Sequence, residues 1–308
     1  MARKSTVDTS RSAAELVRSG CAESLAAIEQ YHARAARFQA EPIHQMRIGT
    51  RRLRAILHLF ADITDAQWAA GLESELRWLA YLLGNVRDLD VLRERLRDAV
   101  EDENAEVKAA LRSIDPVLAA RHRDAKAALR DGLQSERYDA LMNRLREGQR
   151  APQVTLEAGG PVLEVLLPRL NRAWKKLARS ADKLRERDAA AEFHRVRKMG
   201  KRIRYAAELM SGDFHPKDRK NALRFIDRMK TLQDTLGQLQ DAEVAAKTVE
   251  LLLEGKTVAP NGLHEIIQTE QRIEEKARRK FPKVWQPARD IGNKKWMSGL
   301  SKNASKTI

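Results

Sequence analysis

Apolar residues recur every three to four positions along almost the whole chain, and strand-like alternation is nearly absent. The pattern predicts an all-α protein with helices over 12–38, 42–60, 65–100, 116–129, 136–146, 161–187, 189–210, 217–253 and 262–290. Pro42 suits a first helical turn, where its missing N–H would be unpaired anyway. Asp115 and Pro116 read the same way, as the cap and first residue of the fourth helix. Gly84 marks a kink in the third helix, and Pro168 a kink or a later start in the sixth. The periodicity lapses over 149–160, where Ala-Pro-Gln-Val-Thr-Leu-Glu-Ala-Gly-Gly carries turn formers. This stretch reads as a linker between an N-terminal half (12–148) and a C-terminal half (161–290). Residues 291–308 are rich in Lys, Ser and Asn and read as a loose, disordered basic tail.

The halves echo each other. Ile43-His-Gln-Met-Arg-Ile-Gly-Thr-Arg-Arg-Leu-Arg54 aligns with Phe193-His-Arg-Val-Arg-Lys-Met-Gly-Lys-Arg-Ile-Arg204. His44 then faces His194, and Arg47, Arg51, Arg52 and Arg54 face Arg197, Lys201, Arg202 and Arg204, all at an offset of 150. Leu83-Gly-Asn-Val-Arg-Asp-Leu-Asp90 aligns with Leu236-Gly-Gln-Leu-Gln-Asp-Ala-Glu243 at an offset of 153. Two blocks in the same order at nearly one offset predict an internal duplication. The second offset also brings Arg77 opposite Lys230, as candidates for the same basic surface from a second helix.

On a helical wheel of about 100° per residue, His44, Arg47, Arg51, Arg54 and His58 share a sector of roughly 80°. Met46, Leu53, Leu57 and Phe60 occupy the other side, as core. His194, Arg197, Lys201 and Arg204 repeat the arrangement against Val196, Met199, Ile203 and Met210. Cations three and four apart repel by a few tenths of a kcal/mol per pair, a cost that alternating Glu and Lys would have avoided. A single-sign stripe in register therefore points to a row of charge-assisted bonds to successive phosphates. The glycines at 84 and 237 fit close helix approach, and Asp88 and Asp241 fit structural pairing with basic side chains.

Composition sharpens the reading. The 308 residues carry 58 Lys and Arg against 43 Asp and Glu, a formal charge of +15. Arg outnumbers Lys, which suits forked contacts with phosphate oxygens. Such an excess favours an anionic partner. The single cysteine, Cys21, excludes an internal disulfide and a cysteine-cluster zinc site. Glu41 and Glu192 make no ligand cluster with the two histidines, so no metal or cofactor is expected. No run of about 18 apolar residues could span a bilayer, and charges interrupt any signal-like segment, so a cytoplasmic protein is expected.

The His-x-x-Arg blocks His44-Gln-Met-Arg-Ile-Gly-Thr-Arg-Arg-Leu-Arg54 and His194-Arg-Val-Arg-Lys-Met-Gly-Lys-Arg-Ile-Arg-Tyr205, with Leu83-Gly-Asn-Val-Arg-Asp-Leu-Asp-Val91, resemble the CHAD domain family over about 13–290. The resemblance implies two helical bundles related by pseudo-twofold symmetry around a basic pore that binds inorganic polyphosphate. Some members of the family resemble polyphosphate-granule proteins, so targeting to such granules is an open expectation. It carries the basic signature onto His44, Arg47, Arg51, Arg52, Arg54, His194, Arg197, Lys201, Arg202 and Arg204. Gln240 departs from the pattern, because the first half has Arg87 there. Some members are fused to a β-barrel triphosphatase, but Glu73-Ser-Glu75 lies in a predicted helix and no barrel strands accompany it.

Two other functions compete. A nucleic-acid binder would share the charge, yet aromatic residues are only 5% and no base-stacking or helix-turn-helix motif stands out. A phosphoanhydride hydrolase would need a metal-binding carboxylate cluster and an activated water, and no glycine-rich phosphate loop or nucleophile–base pair is visible. The expectation is non-enzymatic polyphosphate binding.

Overall fold

The computed structural model describes residues 11–254 and 260–298. Among them lie ten α-helices and no β-strand: α1 (Ala13–Ala35), α2 (Ala40–Leu59), α3 (Ala66–Ala99), α4 (Ala105–Leu133), α5 (Glu136–Arg150), α6 (Val162–Lys183), α7 (Ala190–Met210), α8 (Pro216–Glu254), α9 (Pro260–Gly292) and α10 (Lys295–Ser298). No helix of the described residues is long and apolar enough to cross a membrane.

Side-chain caps set several boundaries. At α1, Ser12 Oγ accepts from the Glu15 N–H at 3.2 Å, and Glu15 Oε2 accepts from the Ser12 N–H at 2.8 Å. Asp65 caps α3 through the Trp68 N–H at 2.7 Å. The fourth helix differs from the reading at Pro116. Asn104 accepts from the N–H groups of Glu106 and Val107, so α4 starts at Ala105, eleven residues before Pro116, and carries that proline inside it. Its buried face, Val107, Ala110, Leu111, Ile114 and Leu118, continues through the proline and holds the helix in place. Asp115 instead accepts a forked bond from Arg93 of α3 at 2.9 to 3.0 Å. Gly84 makes no break in α3, and α6 likewise runs through Pro168.

Within each half the second helix lies between its neighbours. α2 packs on α1 and α3, and α7 packs on α6 and α8. α2 and α7 also pack on each other, as do α4 and α9. The two halves share their cores. The larger core joins Leu16, Met46 and Phe60 to Trp174, Phe193 and Phe225. The smaller one joins Leu96 and Ile114 of α3 and α4 to Val249 and Ile266 of α8 and α9. Each such side chain contributes roughly 1.5–3 kcal/mol of burial, so separating the halves would forfeit both cores.

The linker is tied down. The Asp65 N–H donates to the Gln153 carbonyl at 2.9 Å, and the Thr155 N–H to that of Ile63 at 2.9 Å. Arg169 bridges Asp62 and Glu157, both at 2.8 Å. Residues 291–298 are not the loose tail that their composition suggests. α9 runs to Gly292, and α10 buries Trp296 and Met297. Trp296 packs on Phe214 and Phe225, with ring centroids 5.5 and 5.4 Å apart, and its indole N–H donates to the Ile291 carbonyl at 2.8 Å. Two apolar anchors in four residues outweigh the basic composition around them. The remaining tail, 299–308, lies outside the described residues.

Candidate anion-binding cleft

Where α2 meets α7, their basic faces form the floor of a cleft of about 790 Å³, with α3 and α8 as its walls. The opposite faces of these helices, including Met46, Leu53, Val196 and Ile203, are buried in the larger core. Apolar periodicity therefore fixes the direction in which the cations point. His44, Arg47, Arg51 and Arg52 enter from α2, and His194, Arg197, Lys201 and Arg204 from α7.

These cations are not equivalent. Arg47 is paired with Asp88 of α3 at 2.6 Å. Arg204 donates to Gln233 of α8 at 2.9 Å, pairs with Glu208 and stacks over Tyr205 at 4.4 Å. Arg51, Arg197 and Lys201 have no carboxylate within ion-pair distance among the described residues. The Nε–H groups of Arg51 and Arg197 are buried and have no acceptor. An unmet buried donor on a charged group costs at least about 1–3 kcal/mol, so the fold holds a binding deficit at this point.

Electrostatics report the same strain. Burial, reinforced by Arg197, Arg51 and Arg47 and opposed by Asp241, pushes the Lys201 ammonium down to about 7. Arg51 and Arg197 are also lowered, first by burial, but guanidinium starts so high that both stay charged. His44 is lowered by burial, with Arg87, Arg51 and Arg47 adding to the effect and Glu41 opposing it. Burial lowers His194 too, against a hydrogen bond from its Nδ1 to Gln240. Gln240, the departure from the repeat, is thus a partner of the second histidine. Burial raises the Asp241 carboxyl, against the pull of Arg197 and Arg95.

The repeated glycines lie beside the arginines. A Cβ at Gly84 would sit 3.7 Å from the Arg47 guanidinium, and one at Gly237 would sit 3.6 Å from that of Arg197. Each guanidinium lies along a wall helix where only hydrogen projects.

Four expected residues do not line the cleft. Arg54 turns to Glu73 of α3 at 3.0 Å, and Arg77 pairs with the same carboxylate from an exposed position. Arg202 contacts His58 Nε2 at 2.7 Å, and Lys230 is exposed on α8. For Arg54 the cause is simple: a stripe about 80° wide is broad enough for its ends to reach different neighbours, and Glu73 captures the C-terminal end. Two further arginines of α3, Arg87 and Arg95, do line the cleft. Their spacing, with Val91 between them at four-residue steps, is a helical face visible in the sequence. The partner of Arg95 is not visible there: fully buried Glu270 of α9 receives its guanidinium in a forked pair at 2.5 to 2.9 Å.

A helical domain with two crossed basic helices at the floor of one cleft is the class that these features define. The CHAD domain family model matches residues 20–250, and the chain belongs to that family. The uncharacterized protein Rv2226 of Mycobacterium tuberculosis is 30% identical over 219 residues, which cover 67% of this chain and 39% of that protein. The chain thus aligns with about two fifths of the length of the curated relatives it matches. PptA from Streptomyces chartreusis has a similar fold, with a TM-score of 0.75 at 22% identity over 89% of this chain and 98% of that one. The CHAD domain from the plant Ricinus communis gives 0.70 at 22% identity, over 92% and 93%.

Proposed function

We propose that the cleft binds inorganic polyphosphate and that the chain acts by binding, without catalysing a reaction. One observation carries the reading: Arg51, Arg197 and Lys201 converge from two helices with no neutralising carboxylate, two of them with buried N–H groups lacking acceptors. A chain of phosphates supplies one negative charge and several acceptor oxygens at each step, which matches that deficit in both charge and hydrogen bonding. Arg52 and Arg87, which pair with no carboxylate among the described residues, extend the positive surface along the floor and wall. The repeated blocks and the recurring packing order of α1–α4 and α6–α9 support an internal duplication, with the cleft on its pseudo-twofold axis.

Single-stranded nucleic acid is the weaker fit. Stacked bases need free aromatic faces, and the one aromatic residue lining the cleft, Tyr205, is buried and already covered by Arg204. Titration with long-chain polyphosphate, triphosphate and DNA at matched charge, across a salt series, separates the readings. Affinity is expected to rise with polyphosphate length and to fall steeply with salt. Equal affinity for triphosphate would sink an extended track, and a preference for DNA would replace polyphosphate. A binder of this kind would partition onto polyphosphate granules, which fractionation of granules with and without the tagged chain would check.

A further inference from the structure

We propose that Lys201 is a site of acyl transfer from small acyl phosphates, such as acetyl phosphate. The geometry supplies both halves of that reaction. The amine lies half-buried in the cleft between Arg51 and Arg47 of α2 and Arg197 of its own helix, while Asp88 of α3 is occupied by Arg47. Asp241 of α8 is the remaining carboxylate acting on the amine, and it lies beyond ion-pair distance. The two buried Nε–H groups without acceptors, on Arg51 and Arg197, are donors for a phosphate group. An acyl phosphate held there by its phosphate would place its acyl group in the cleft that Lys201 also lines.

The Lys201 Nζ lone pair attacks that carbon, forming the N–C bond, and the C–O bond to phosphate breaks. The amine proton leaves with the phosphate as hydrogen phosphate. Lysine and acetyl phosphate thus become acetyl-lysine and inorganic phosphate, with no oxidant or further reactant. Because the amine titrates near neutrality, at pH 8 it is about 90% uncharged, against well under about 1% for an ordinary lysine. Lower basicity weakens a nucleophile and offsets part of that gain, so the held phosphate has to supply the remaining selectivity. Acetylation would remove the central cation and so weaken the cleft for any polyanion. The inference uses the cleft but not the identity of its long-chain ligand.

The test is peptide mapping by mass spectrometry of the unmodified protein after brief exposure at pH 8 to acetyl phosphate, and in parallel to the neutral ester p-nitrophenyl acetate. Acetyl phosphate is expected to label Lys201 severalfold faster than exposed Lys230, and the neutral ester to show a smaller preference. Labelling of Lys201 no faster than Lys230 would overturn the assignment. So would an equal preference with both donors, because the phosphate would then play no part.

Discussion

Lys201 gives the proposed function a proton signature. In the free protein its ammonium sits near 7, held down by burial and by three arginines. The negative charge of a polyanion beside it outweighs both influences and brings it back toward the ordinary value near 10.4. At pH 9 the free amine is then only about 1% charged and the bound one about 95% or more, so binding takes up about one proton per chain. His44 and His194, both below the ordinary histidine range, stay neutral at that pH. Terminal phosphates, whose second ionisation lies near pH 6, stay fully charged. The uptake belongs to Lys201 alone. Its consequence has a definite sign: affinity should fall by about tenfold for each pH unit between about 7 and 10, since the bound state holds the extra proton. Calorimetric titration with long-chain polyphosphate at pH 9, in buffers of different ionisation enthalpy, reads the proton count directly. Lys201→Arg keeps the charge without titrating, so it should still bind while losing the uptake and the slope. Absence of uptake in the wild type, or its persistence in Lys201→Arg, would refute the reasoning.

Further outcomes follow from named residues. Arg51→Glu with Lys201→Glu should abolish polyphosphate binding yet leave a cooperative thermal transition, because neither residue faces the core. Arg130→Glu, which removes a guanidinium 5.1 Å above the Phe38 ring outside the cleft, should weaken binding only slightly in the same titration. Glu270→Leu leaves Arg95 without its buried partner and should cost about 3–5 kcal/mol, read as a lower urea midpoint. Gly84→Ala meets Arg47 only at ordinary contact distance and should raise helix stability by up to about 1 kcal/mol. Gly292→Ala should lower the melting temperature, since its Cβ would lie 2.1 Å from the rigid, buried Trp174 ring.

How much of this could be read in the sequence depends on the range of the interactions involved. Periodicity found every long helix because an amphipathic face is a local property. It placed the start of α4 wrongly because Pro116 and Asp115 look the same at a helix start as within a helix already capped at Asn104. The floor of the cleft was legible for the same local reason: once Met46, Leu53, Val196 and Ile203 are buried, the cations opposite them must face away from the core. What no local pattern carries is which cation meets a carboxylate. Arg51 and Arg54 are both arginines on one stripe, yet Glu73 neutralises Arg54 while Arg51 is left with a buried, unmet donor. That difference is set by where α3 crosses α2, and the same crossing puts Gly84 under Arg47. The functional distinction within the stripe is therefore tertiary. A sequence pattern can mark a helix face as basic, but the packing of the wall helices decides which of its charges remain free to hold an anion.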